Sequence, residues 1–119
     1  MTEPVYFVEF NSPDPDGTSE FFRAVFDWDP QPFASPDYLV APHGEVAGVD
    51  SAILPSRDRQ PRTVPVIRVA DLATAMKAVE SHGGAVVVPP FTMGGLGSGC
   101  YITDPAGILV GLHAYAPPE

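Results

Sequence analysis

The sequence predicts an α+β domain made of two copies of one module, each a strand, a helix and three further strands. Three observations carry this expectation. The stretch VYFVEFNSPDPDGTSEFFRAVFDW, residues 5–28, reads as a strand, a capping turn and an amphipathic helix. The stretch VPVIRVADLATAMKAVESHGG, residues 64–84, repeats that plan. After each come short apolar runs broken by Pro and Gly, the punctuation of short strands.

Bulk properties narrow the class. A chain of 119 residues fits one domain or two half-domains sharing a core. Its 45% hydrophobic content is that of a globular protein rather than a disordered one. No apolar run approaches the roughly 18 residues of a membrane-spanning helix. The N-terminal MTEPVYF has neither a basic nor an apolar signal region. The single cysteine, Cys100, excludes an intramolecular disulfide and fits a reducing compartment, so the expected location is cytoplasmic. Fifteen acids against six bases give a net charge of −9. That balance disfavours nucleic acid and anionic membrane as partners. It suits a cationic ligand, although solubility alone selects the same charge.

In the first module, Tyr6–Phe10 has strand composition. Alternation places Phe7, Glu9 and Asn11 on one face and Tyr6, Val8 and Phe10 on the other. Asp14-Pro15 is a helix start, because the carboxylate caps free N–H groups and Pro at the first helical position loses no hydrogen bond. The helix is expected to reach Phe26 and to bury a stripe of Phe21, Phe22, Val25 and Phe26, with Trp28 over its end. Strands are expected at 38–41 and 46–54, around a Pro42-His43-Gly44 turn. Residues 55–62, PSRDRQPR, lack an apolar period and read as a linker. The modules are therefore 4–54 and 63–115.

In the second module Val64, Val66 and Arg68 share a strand face, and Asp71 caps a helix burying Leu72, Ala75, Met76 and Val79. A strand at 85–88 closes at Pro89-Pro90. The glycines of 94–99 have no phosphate-cradle spacing. The end of the chain reads as a hairpin whose two-residue loop, Pro105-Ala106, pairs Cys100 with Gly111.

With these residues in view, the sequence resembles the vicinal oxygen chelate superfamily of glyoxalases, extradiol dioxygenases and bleomycin-resistance proteins. FVEFNSPDPDGTSEFFRAVFDW is similar to the family's strand, Asp, helix and aromatic pair before "VFGW". VIRVADLATAMKAVESHGGAVVVPP is similar to its "V-D-D-L-D-A-A" helix and "GG" cap, and YITDPAGILVGL to its closing "D-P-x-G-N-x-x-E-L" hairpin. The resemblance implies two βαβββ modules curving into an open, barrel-like sheet with helices outside, usually as a homodimer with a small-molecule site on the concave surface. It also implies metal slots. Carried onto this chain, they fall seven residues before Asp14, seven before Asp71 and seven after Asp104, at Phe7, Val64 and Gly111. A fourth lies in 46–53, where Asp50 is the candidate acid. Phe, Val and Gly have no side-chain donor for a divalent cation. No metal and no other cofactor is therefore expected.

Polarity is expected to survive elsewhere on those faces. If Phe7 points inward so does Glu9, and if Gly111 does so does His113. The expected ligand-contacting set is Phe7, Glu9, Val64, Val66, Arg68, Cys100, Leu109, Gly111 and His113. Glu9 reads equally as a solvent-exposed strand residue, His113 as a packing residue, and Cys100 as a small buried hydrophobe. His43 and His82 read as structural. Two functions follow. One is a metal-independent, homodimeric small-molecule-binding protein with Glu9 as its acidic anchor. The alternative is a lyase, isomerase or dioxygenase-type enzyme using Glu9 and His113 or a relocated metal site.

Overall fold

A computed structural model of the chain describes residues 2–44, 48–92 and 94–115. The chain packs as two compact units. One spans Phe7–Val64, and the other runs from Pro65 onward together with the residues up to Tyr6. In each unit four strands and one helix follow the βαβββ plan, an α+β arrangement.

In the first unit β1 (Val5–Ser12) leads into α1 (Pro15–Phe26), then β2 (Gln31–Phe33), β3 (Ser35–Ala41) and β4 (Asp50–Pro55). The strand order is β2-β3-β4-β1. β1 runs parallel to β4, with Phe7 opposite Asp50 and Glu9 opposite Ala52. β3 is antiparallel to β4, with Val40 opposite Ala52. Opposed residues share a face. Glu9, Ala52, Val40 and Tyr38 therefore lie on one side of the sheet and Phe10, Ile53 and Leu39 on the other. The ring of Phe10 meets Phe22 of α1 at 5.3 Å, so the Phe10 side is the helix side.

α1 starts as its sequence dictates. Asp14 caps it, accepting from the Gly17 N–H at 3.2 Å, and Pro15 follows. Gly17 has a specific reason to be there, since a Cβ at that position would come within 2.3 Å of the Asp14 carboxylate. The expected buried stripe is not what holds the helix. Its buried residue is Ser19, and Phe22 is half-buried between Phe10 and Trp28. Phe21, Val25 and Phe26 are 59%, 54% and 56% exposed. The helix meets the sheet through Ser19 and Phe22, which leaves Phe21 and Val25 turned away from it. Trp28 does close the helix end, 4.9 Å from the Phe22 ring.

Between α1 and β4 the structure adds a short strand, β2, which the sequence pattern did not delimit. The strand expected at 46–54 begins at Asp50, and Val46 lies outside the described residues. The segment taken as a linker is partly ordered by its own charges. Arg62 donates to both oxygens of Asp58 at 2.5 and 2.6 Å and already belongs to β5 (Arg62–Arg68).

The second unit continues from β5 through α2 (Leu72–Ser81), β6 (Ala85–Thr92), β7 (Ser98–Thr103) and β8 (Leu109–Ala114), in the order β5-β8-β7-β6. Asp71 caps α2 through the N–H and hydroxyl of Thr74. Beneath α2 a cluster of Val69, Leu72, Cys100, Ile102, Leu112 and Ala114 forms the core, flanked by Ala75, Met76 and Val79. β6 runs through Pro89 and Pro90 instead of stopping there. It can do so because it is the outermost strand of this unit, where a missing N–H breaks no ladder on its open side, and its register against β7 shifts twice.

The closing hairpin differs from expectation by one residue. Thr103 faces Leu109, and Cys100 faces Leu112 rather than Gly111. The Asp104 side chain accepts from the N–H groups of Ala106 and Ile108, and the Asp104 N–H bonds the Ile108 carbonyl, which leaves three residues in the loop, Pro105, Ala106 and Gly107, instead of two. One residue of slip exchanges the two faces of a strand. No helix among the described residues is long and apolar enough to cross a membrane.

Candidate functional site

In the first unit the candidate residues meet on the side of the sheet away from α1. Glu9 is 6% exposed, a burial that carboxylates rarely adopt without partners. Its Oε2 accepts a hydrogen bond of 2.8 Å from the Tyr38 hydroxyl. A carboxylate accepting from a phenol is held in place as a fixed negative group on an otherwise apolar floor of Ala52 and Val40. Phe7 is half-buried on the same side, opposite Asp50. Asp50 is engaged at the rim, where its Oδ1 accepts from the His43 N–H at 2.9 Å and lies 3.7 Å from the His43 ring. The register that the sequence left open is thus set, and Asp50 belongs to the face of Phe7 and Glu9.

Val64 is fully buried, at 1% exposure. In the second unit Val66 pairs with Gly111 and Arg68 with His113. A Cβ on Gly111 would lie 3.3 Å from both the Tyr101 ring and Val66. Tyr101, stacked on Phe91 at 5.9 Å, therefore covers the place into which a longer side chain at 111 would project. Leu109 is half-buried opposite Thr103.

His113 is buried and engaged at both ring nitrogens. Nε2 lies 2.8 Å from the Leu96 carbonyl, which accepts only, so Nε2 carries the proton. Nδ1 then accepts from the hydroxyl of Tyr6. Tyr115 leans over the imidazole at 4.5 Å, and the Arg68 guanidinium sits 4.4 Å above the Tyr115 ring. Arg68 also lines a cavity of about 860 Å³ where β5 meets the start of α2, with Asp71, Met76, Pro90 and Ser98. Cys100 stands apart from this set. It is 1% exposed in the core under α2, and burial pushes its thiol pKa up. The expectation that it shares the face of Gly111 is overturned by the hairpin register.

Sequence reasoning missed Tyr38, Tyr6, Tyr101 and the Leu96 carbonyl. Tyr38 was legible in principle, two residues from Val40 on one strand face. Tyr101 surfaces only once the hairpin register is correct. Of the slots that the resemblance implies, Phe7 and Val64 in the first unit and Gly111 in the second carry no side-chain donor for a divalent ion, and Asp50 is the carboxylate opposite Phe7. Among the described residues no three His, Cys, Asp or Glu side chains are grouped as a metal centre requires. The residues do not fit such an ion.

The βαβββ plan of each unit is that of a small-molecule-binding class of protein. Residues 6–112 match the family described as the Glyoxalase/Bleomycin resistance protein/Dioxygenase superfamily, and the chain belongs to it. CFP32, a provisionally named glyoxylase of Mycobacterium tuberculosis and of Mycobacterium bovis, is 30% identical over 116 residues. That match covers 89% of this chain and 43% of CFP32, so the chain spans less than half the length of these relatives. Among solved structures, methylmalonyl-CoA epimerase of Mycobacterium tuberculosis shares the fold at a TM-score of 0.60 and 18% identity, over 94% of this chain and 87% of its own. The Mn(II)-bound glyoxalase of Novosphingobium aromaticivorans does so at 0.63 and 21%, over 95% of this chain and 38% of its own.

Proposed function

We propose that this protein is a metal-independent small-molecule-binding member of its superfamily, acting as a homodimer, with Glu9 as the anionic anchor for its ligand. The observation that supports this most directly is Glu9 itself, buried and hydrogen-bonded by Tyr38 among Phe7, Ala52 and Val40. A fixed carboxylate on an apolar, aromatic floor favours a flat compound bearing a positive charge, which the net charge of −9 also draws in. In this reading Phe7 and Val64 replace metal ligands by apolar contact. Val66, Leu109, Gly111 and Arg68 belong to the binding face of the second unit, with His113 as its polar group.

The test pairs a metal assay with a binding screen. Protein without a histidine tag, dialysed against Zn, Ni, Mn and Fe, should retain metal far below stoichiometry by plasma mass spectrometry. Aromatic cations should bind by calorimetry, and Glu9→Gln should weaken them about tenfold or more. Near-stoichiometric metal, or undiminished binding by Glu9→Gln, would refute the reading.

The hydrogen bond between Tyr6 and His113 favours a second reading, a lyase or isomerase in which an acid–base pair moves a proton. Turnover of candidate acyl or keto substrates that is lost in both Glu9→Gln and His113→Asn would select it.

A further inference from the structure

The cavity of about 860 Å³ in the second unit has a floor and a rim of opposite character. Its floor is apolar. Val69, Leu72 and Ala114 line it at 5%, 8% and 7% exposure, and Met76 packs against the same cluster. The cavity therefore reaches the core beneath α2. Its size is that of a site for a drug-sized molecule.

The rim carries the charge. Arg68, at the end of β5, is exposed and has no carboxylate within ion-pair distance among the described residues. Arg23 and Arg62, by contrast, are paired with Asp29 and Asp58. The Tyr115 ring, 4.4 Å from the Arg68 guanidinium carbon, covers one face of that group. Such stacking steadies a guanidinium and leaves the N–H donors in its plane available. Ser98 adds a hydroxyl to the lining. The acid on this rim, Asp71, is already engaged. Its carboxylate accepts from the N–H and the hydroxyl of Thr74, and those bonds, with Lys77 behind them, hold its pKa down. The charged group left to meet a ligand is thus a cation. A chain of net charge −9 repels anions in general, so an anion held here is held by local contacts.

We propose that this cavity is a second binding site, for an apolar organic carboxylate. The carboxylate takes the in-plane donors of Arg68, and its hydrocarbon or aryl body lies on Leu72, Met76 and Ala114. Two parallel N–H···O bonds make an arginine–carboxylate pair both strong and directional. The site goes beyond the Glu9 reading. It uses a protein group of the opposite charge, and it stands whether or not Glu9 anchors a cation.

The full chain would be titrated by calorimetry with octanoate and with octanamide, which has the same body and no charge. Octanoate should bind once per chain, at least about tenfold more tightly than the amide. Arg68→Gln should weaken octanoate by about tenfold or more. Arg57→Gln removes the same charge from the exposed 55–62 segment and should leave binding as it was. Ala73→Phe, at an exposed position that lines the cavity, should weaken octanoate by filling the space. Circular dichroism would confirm that each variant is folded. Equal affinity for the amide, or no binding of octanoate, would overturn the proposal. So would binding that Arg68→Gln leaves unchanged, or that Arg57→Gln weakens equally.

Discussion

Two side chains illustrate how much a single contact decides here. Glu9 sits in a nearly closed position, and the Tyr38 hydroxyl donates to it there. Tyr38→Phe should therefore lower stability by about 1–2 kcal/mol in urea denaturation, the usual cost of removing one partner from a charged acceptor. Gly17→Ala should run against the ordinary helix scale. Alanine normally gains about 1 kcal/mol over glycine inside a helix. At this site its methyl would displace the Asp14 cap, whose loss costs about 1 kcal/mol. The same urea experiment should show no gain, or a net loss. Phe7 and Glu9 sharing a face was legible from alternation, because side chains in an unbulged strand have no other choice, whereas Asp50 joined them only once the β1–β4 register was known. Cys100 was not, because its face depended on the length of one hairpin loop. The Asp104 carboxylate, bonding two N–H groups beyond it, lengthened that loop by a side-chain interaction that strand periodicity does not encode.

At the level of elements, the helix caps were readable because they rest on local chemistry. Asp14-Pro15 and Asp71 start their helices where they should. What failed was the judgement of which face of α1 is buried, whereas the α2 stripe of Leu72, Ala75, Met76 and Val79 packs on its core as expected. Apolar spacing shows that a helix is amphipathic without showing whether a sheet, a partner or solvent lies on that side. The two helices should answer mutation differently. Leu72→Ala empties a place in the α2 core and should cost about 2–4 kcal/mol. Phe21→Ser should change stability by less than about 0.5 kcal/mol, since its ring is already mostly in water. Thermal denaturation of both variants checks the contrast. A large loss at Phe21 would restore the buried stripe that the sequence suggested.

Across the whole molecule the acidic surface sets the response to pH. Arg62, hydrogen-bonded to Asp58, holds that carboxyl well below the usual range, and Thr74 lowers Asp71 in the same sense. A carboxyl whose folded pKa lies below its unfolded value of about 4 stabilises the fold above pH 4. That contribution drains away as pH falls from about 4 through the lower folded values. Urea midpoints measured between about pH 6 and pH 2 should fall in that window, and in Asp58→Asn the fall should be smaller. Both groups are exposed, so added salt should shrink the difference. Fold and family were legible at this scale because the repeated module and its caps extend over nearly all of the chain. The ligand was not, because the residues proposed to hold it lie on faces whose neighbours only the folded chain defines.

The prolines of the outermost strands carry one more consequence. β2 ends the order of the first unit and contains Pro32, and β6 ends that of the second and contains Pro89 and Pro90. A bare strand edge is a template on which another chain can build, and a residue without an N–H cannot serve as its donor. With Pro89→Thr and Pro90→Thr together, β6 would offer a continuous donor row bearing Val87 and Phe91, both already exposed. Such a protein should fold as before and then form thioflavin-positive fibrils on mild heating while the parent stays clear. These prolines would then be what keeps so short and β-rich a chain from polymerising through its own borders.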